Sequence, residues 1–279
     1  MNTQNHNIPR LLLHACCGPC SLEPTRSLQE RGFQPTIYFA NSNIHPAGEY
    51  ARRLETLQAW ASGPDPASPL PVVEGSYDVE AWERTCGRLG DAALAEVPAD
   101  ADRAPALAVD PEKRKARCRL CYRMRFEEAA RYAADHGFQA LGTTLSVSPY
   151  QYTDVIREEL ERAAAGAGIQ ALFEDYRPYY DEATRRSRDL GMYRQNNCGC
   201  RFSIDEAEAE RAERKEERRR AREAQLAATA DQRAAEEAAR QAKKAEKAAY
   251  AEKQRRKKAA LKALRSARPQ GDGQDGQTP

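Results

Sequence analysis

The stretch Leu11-Leu12-Leu13-His14-Ala15-Cys16-Cys17-Gly18-Pro19-Cys20-Ser21 constrains this chain more than any other. Three consecutive leucines read as a short buried strand. The chain then turns through three cysteines, a glycine and a proline, and a helical pattern begins at Leu22-Glu23-Pro24. In α/β proteins ligands collect beyond the carboxyl ends of the strands, so a strand-to-helix turn loaded with sulfur marks a site. Five more cysteines follow: Cys86, the pair Cys118 and Cys121, and the pair Cys198 and Cys200. Most of the eight are expected to meet the first turn in space and to hold an iron–sulfur cluster.

The same alternation continues along the chain. Phe33–Ala40, Leu70–Glu74, Phe138–Leu145 and Ile169–Phe173 read as further strands. Helical spacing separates them at Glu23–Arg31, Gly48–Ser62, from Tyr77 onward, from Cys121 to about His136, and at Tyr152–Ala165. Strands alternating with helices of this length predict an α/β fold, a parallel sheet with helices on both faces. The Ala-, Asp- and Pro-rich segment Asp91–Val109 is expected to be a mobile surface insertion.

Composition divides the chain. Nearly all aromatic and β-branched residues precede about residue 205, so residues 1–204 are expected to form one domain with its own core. Residues 205–268 change to Ala, Glu, Lys and Arg, a charged helical extension, and residues 269–279 should be disordered. The net charge of +2 is unevenly placed: residues 206–268 hold 20 Lys and Arg against 12 Asp and Glu, a net of +8, and the first 205 residues carry −4. Large apolar residues in the extension (Ile204, Leu226, Tyr250, Leu261, Leu264) keep no heptad spacing, which argues against a coiled coil. Such a tail is either a solvated helix or an electrostatic arm toward an anionic partner. No apolar run is long enough to cross a membrane, and the first residues lack the apolar core of a secretory leader. A cytoplasmic protein is expected, and there eight cysteines serve as metal ligands or redox thiols rather than structural disulfides.

Two residues between Cys118 and Cys121 let both sulfurs face one metal, and a helix start there would favour the thiolates. Cys16, Cys17 and Cys20 supply further ligands, so thiolates from two segments can complete a cubane. A four-cysteine zinc site is the main rival, in a non-redox RNA-binding module. Zinc leaves Cys198-Gly199-Cys200 unexplained: cysteines so closely spaced can close a strained, labile disulfide. Cys86 reads as a buried core thiol and His14 as a hydrogen-bonded core histidine. Thr143, Thr144 and Ser146 end a strand, where they bind substrate or cap the turn. Tyr179, Tyr180 and Tyr193, interleaved with Arg185, Arg186, Arg188 and Arg194, suit either RNA or a solvated face. An ATP-dependent tRNA thiolase fits less well, because the first turn has a single glycine and no Ser-Gly-Gly run.

The motifs HACCGPCS, SNIHP, YDVEAW, RCRLCYRMR, TTLSVSPYQ and YRQNNCGC, in this order over about residues 8–203, resemble the QueH-type epoxyqueuosine reductases. The resemblance implies a Rossmann-like, nucleotide-binding-type fold. It implies reduction of epoxyqueuosine to queuosine at the tRNA wobble position, with an external electron donor. It implies a 4Fe-4S cluster on Cys16, Cys17, Cys118 and Cys121, a redox-active disulfide between Cys198 and Cys200, and an additional single iron, for which Cys20, a C-x-C thiol or Asp175 are candidate ligands. Three departures stand out: Asn197 where the family commonly has Tyr, the insertion at Asp91–Val109, and a tail from Asp205 outside the pattern.

Overall fold

The computed structural model describes residues 9–67 and 69–266. Strand β1 (Leu11–His14) leads to helix α1 (Gly18–Glu30), β2 (Thr36–Phe39), α2 (Ala47–Ala61) and β3 (Val72–Glu74). A continuous helical stretch follows: α3 (Val79–Trp82), a π-helical turn (Glu83–Gly87) and α4 (Arg88–Ala95). Next come the short α5 (Pro105–Ala108), the long α6 (Pro111–Asp135), β4 (Ala140–Thr143), α7 (Thr153–Gly166), β5 (Gln170–Leu172), α8 (Tyr180–Asp189) and α9 (Arg201–Ser266). The chain divides into two compact units between Ala212 and Glu213. The disorder expected at 269–279 lies outside the described residues.

The five strands are all parallel, in the order β3-β2-β1-β4-β5. The leucine run explains the central place of β1. A central parallel strand is covered on both faces and so tolerates no polar alternation. Leu11 and Leu13 face α1 and Leu28, while Leu12 joins Phe126, Ala129, Ala130 and Ala133 of α6 and Val155, Ile156 and Leu160 of α7. Neighbouring β2 repeats the division: Ile37 and Phe39 pack with Tyr50, Leu57 and Trp60 of α2, and Tyr38 lies on the α6 side. The sheet therefore has helices on both faces, and the apolar stripes that the helical spacing predicts, Tyr50, Leu54, Leu57 and Trp60 on α2 and Phe126, Ala129, Ala130 and Ala133 on α6, are the ones buried.

Two helix starts differ from the sequence reading, for the same reason. α1 begins at Gly18 because Cys17 is extended and Pro19 occupies the first turn, where its missing N–H costs nothing. α6 begins at Pro111, after Asp110, whose Oδ1 accepts the N–H groups of Glu112 (2.8 Å) and Lys113 (3.2 Å). Cys118-x-x-Cys121 is thus about two turns inside the helix rather than at its start, beyond reach of the N-terminal amides. The segment Asp91–Val109 is partly helical, and Asp91 is tied to Arg201 at 2.8 Å. Among the described residues no helix is long and apolar enough to cross a membrane.

Candidate metal and redox centre

From β1 the chain builds outward to β2 and β3, then returns through α6 to place β4 on the other side of β1. The carboxyl ends of β1 and β4 therefore flank the crevice where connections diverge, the usual ligand position in open parallel sheets. Cys16 and Cys17 lie at that edge. Their sulfurs are 3.8 Å apart, and with Cys20 they form a group within 4.8 Å of one another, the geometry of three ligands for one ion. Cys17 accepts hydrogen bonds from Cys16 and Cys20 and lies near Arg53, which holds its thiol well below the usual range. Donating to Cys17 pushes Cys16 up to about 11.

His14 closes the floor of this edge. Its Nε2–H donates to the carbonyl of Ala40 (3.2 Å), so Nδ1 accepts from the Thr143 hydroxyl (3.2 Å). Burial, then Arg125, pulls its pKa down to about 3. Both ring nitrogens are spent on binding β1 to β2 and β4, as the core-histidine reading expected. Thr143 also accepts the Leu145 N–H, a local cap, while the buried Thr144 hydroxyl has no partner. Ser146 donates to the carbonyl of Glu174.

On α6, Cys118 flanks the core that also holds Cys16, and Cys121 turns toward Trp82 and Cys86. The indole N–H of Trp82 donates to the Cys121 sulfur at 3.3 Å. Hydrogen bonding from Cys86, together with Arg125 and Trp82, outweighs burial and brings Cys121 down to about 7. Side chains here do what a helix N-terminus was expected to do. Cys118 has no such donor, and burial pushes it up to about 12. Cys86 is fully buried on the π-helical turn, its sulfur 3.7 Å from that of Met124.

The third sulfur pair sits on a clamped turn. Cys198 and Cys200 are free thiols with sulfurs 3.6 Å apart. The SNIHP loop after β2 grips the backbone between them. The N–H of His45 donates to the carbonyl of Gly199 (2.8 Å), and the Asn43 amide donates to that of Cys198 (3.4 Å). Gly199 has φ +110°, and a Cβ there would stand 2.8 Å from Ile44, so only glycine fits. Arg53, 1% exposed, donates to the Cys198 carbonyl (3.1 Å) and to Oδ1 of Asn197 (3.2 Å). Asn197 thus accepts a guanidinium bond that a tyrosine ring would not. Beside this turn lies a cavity of about 240 Å³ lined by His45, Glu49, Tyr193, Gln195 and Asn197. Nε2 of His45 lies 3.4 Å from a carboxylate oxygen of Glu83, and Oε1 of Gln195 is buried without a hydrogen-bond partner.

Three buried arginines relate the sulfur groups to one another. The charge of Arg125 acts on both Cys16 and Cys121, that of Arg53 on Cys17 and Cys198, and that of Arg117 on Cys118 and Cys200. Each guanidinium is itself anchored: Arg125 on Asn41 (2.5 Å), Arg53 on Glu49 (2.7 Å), Arg117 on Glu206 (2.7 Å). The positive charge that buried thiolates require is therefore built in.

All six cysteines expected at the site fall in this neighbourhood. The triad within single-ion distance contains Cys20 in place of the α6 pair. In a cubane each thiolate takes a separate iron, so its four sulfurs stand farther apart than ligands of one ion. An all-thiol donor set, buried and matched by guanidinium charge, fits such a group. Asp175 is committed to Arg177 at 2.5–3.1 Å. Among the aromatic and basic residues singled out, Arg185 and Arg186 are held by carboxylates and Tyr193 by Glu49, whereas Tyr179 is exposed.

A family profile described as epoxyqueuosine reductase QueH matches residues 11–96 and 101–206. The chain belongs to the epoxyqueuosine reductase QueH family. Curated relatives carry the same name. The chain is 30% identical to the Dehalococcoides mccartyi protein over 70% of its own length and 92% of the relative's. It is 32% identical to the Haemophilus influenzae protein over 74% of its length and 75% of the relative's. With the Thermotoga maritima protein it shares 28% identity over 70% of its length and 91% of the relative's. The QueH match ends at residue 206, so nearly all of α9 falls outside it.

Proposed function

We propose that this chain is a cytoplasmic, tRNA-modifying oxidoreductase that reduces epoxyqueuosine to queuosine. The observation that carries the reading is the gathering of three cysteine segments around Arg53, Arg117 and Arg125 in a QueH-family chain. Cys16, Cys17, Cys118 and Cys121 would hold a 4Fe-4S cluster, which when bound supplies single electrons. Cys20 is the spare thiol of the triad and a candidate ligand for an additional single iron.

The chain's own thiols balance the reaction. Removing the epoxide oxygen as water to leave an alkene takes two electrons and two protons. Cys198 and Cys200 release two electrons and two protons when their thiols close to a disulfide, which an external donor must then reopen. Arg53, Asn43 and His45 fix the turn, so closure needs little backbone change. The adjoining cavity offers the His45 imidazole, backed by Glu83, and an unpartnered amide oxygen of Gln195 to the polar edge of a substrate.

The test is anaerobic. Protein reconstituted with iron and sulfide, then given a chemical reductant, should convert epoxyqueuosine in tRNA to queuosine, read by mass spectrometry of the nucleosides. Iron and sulfide near four each should accompany the activity. A colourless, zinc-loaded protein that still binds tRNA without converting it would install the zinc-module reading instead.

A further inference from the structure

The second unit contains most of α9, and its basic residues are not spread evenly around the helix. Successive residues turn by about 100°, so positions eleven apart return to nearly the same side after about three turns. Arg222, Arg233, Lys244 and Arg255 recur at that interval. Arg218, Arg240, Lys247, Lys258 and Lys262 fall beside them, and the whole set occupies a sector of about 100°. Glu216, Glu217, Glu223, Glu246 and Glu252 lie outside that sector, and Glu236 and Glu237 touch only its edges.

Pairing follows the same division in part: on the line Arg233, Arg240 and Arg255 have a glutamate three or four residues away, and off it Lys253 and Lys257 have none. Off the line, Arg220 and Arg256 are bound by Glu216 and Glu252 one turn away, and Arg219 at the sector's edge is held by Glu216 and Glu223. On the line, Arg218, Arg222, Lys244, Lys247, Lys258 and Lys262 have no carboxylate three or four residues to either side, the only spacings at which a helix can pair them internally. All six are exposed. From Arg218 to Lys262 the line runs about 66 Å at 1.5 Å per residue.

We infer that this face of α9 binds the phosphate backbone of an RNA helix. A long single-sided row of cations, six of its nine without a carboxylate at pairing distance, matches a regularly charged, extended polyanion. The face lacks the apolar counterpart that would seat it in a lipid surface: among the described side chains the exposed large apolar residues of the helix are Leu226, Tyr250 and Leu261, too few and too widely spaced for a continuous stripe. The choice of RNA over an acidic protein rests on the reading of a tRNA substrate. Contacts of this kind raise affinity without selecting a base.

The full chain provides the test. One variant changes Arg222, Lys244, Lys247 and Lys258 to glutamine, and a second changes Arg220, Lys253, Arg256 and Lys257, so both lose four positive charges. Binding of an unmodified tRNA transcript is measured by fluorescence anisotropy across a salt series. The first variant should bind at least tenfold more weakly at low salt, with a slope of log affinity against log salt shallower by about 3–4. The second should keep nearly the parent slope. Circular dichroism checks that the helix persists, and an alanine set at the first four positions guards against a glutamine-specific effect. Equal losses in both variants would reduce the face to bulk charge, and no loss in either would remove the RNA contact. Preferential, face-dependent binding to phosphatidylserine vesicles would reassign it to membranes. The transcript contains no epoxyqueuosine, so its binding stands or falls independently of the reductase reading.

Discussion

Arg125 and Arg222 carry the same charge in opposite settings. Arg125 is 4% exposed and bonded to Asn41 and the carbonyl of Ala40, with Cys16, Cys121 and His14 in its field. Arg222 is exposed and has no carboxylate one turn away. Burying a guanidinium costs several kcal/mol, so Arg125 persists only because neighbouring groups offset that cost. It acts on its neighbours' protons, and a single replacement should matter. Arg222 loses no hydration, and its interactions are screened within about 8 Å at physiological salt. Only many such residues together produce a measurable effect. The first unit uses charge locally and strongly, the second additively and weakly.

The largest break in this comparison should come from the sulfurs proposed as ligands in the first unit. Cys118→Ala is expected to abolish both bound iron and turnover, with folding intact by near-ultraviolet circular dichroism. Iron analysis and activity measured together would check it, and retained iron would remove Cys118 from the ligand set. Arg53→Lys comes next. It keeps the positive charge beside Cys17 but loses the guanidinium fork that clamps the Cys198 carbonyl and Asn197. Iron content should hold while turnover falls by about a hundredfold, the scale of a misplaced reactive group. Parallel loss of iron would place Arg53 in the metal site instead.

A third effect is smaller and depends on pH. Glu159 is buried, which pushes its carboxyl up, but Arg123, Arg162 and Arg119 outweigh burial and hold it at about 2. A depressed carboxyl contributes stability above its unfolded value, and that contribution fades as pH falls toward 2. The three arginine side chains are 34–43% exposed, so solvent screening limits the contribution to about 1–2 kcal/mol. Urea unfolding of the parent should lose that much more stability between pH 5 and pH 2 than Glu159→Gln. Parallel pH profiles would show that the cluster carries no net weight.

The sequence was informative about the first unit where periodicity and spacing set the structure. The leucine run marked β1 as a buried strand, and the 3.6-residue stripe identified Phe126, Ala129, Ala130 and Ala133 as core. Local capping was harder to read: the Asp110 cap and Pro111 went unrecognised, so ten residues, about three turns, of α6 were missed. The partners that tune each thiol were also hidden. Trp82 and Cys86 reach Cys121 through the π-helical turn, and Arg53 reaches Cys198 across 145 residues. No spacing rule connects them; only the sheet order brings them together. In α9 the charges were obvious from composition, but their one-sided arrangement emerged only when an unbroken helix fixed the angle between successive residues.

The smallest expected effect tests the second unit. Glu216 accepts Nη2 of Arg219 (2.5 Å) and Nε of Arg220 (3.0 Å), and these bonds hold its carboxyl at about 2, the same value as Glu159. The geometries are similar, but here acid and bases all lie in solvent. Water competes for each bond, ordering the long side chains costs entropy, and added salt screens what remains. Any support the cluster gives the helix is present above the unfolded carboxyl range and fades as pH falls toward 2. Glu216→Gln should therefore leave helicity of the full chain unchanged at pH 7 within measurement error, by circular dichroism on heating at low and at high salt. A shift comparable to that from Glu159→Gln would mean that exposed pairs in α9 act as strongly as buried ones, and the contrast between the two units would collapse.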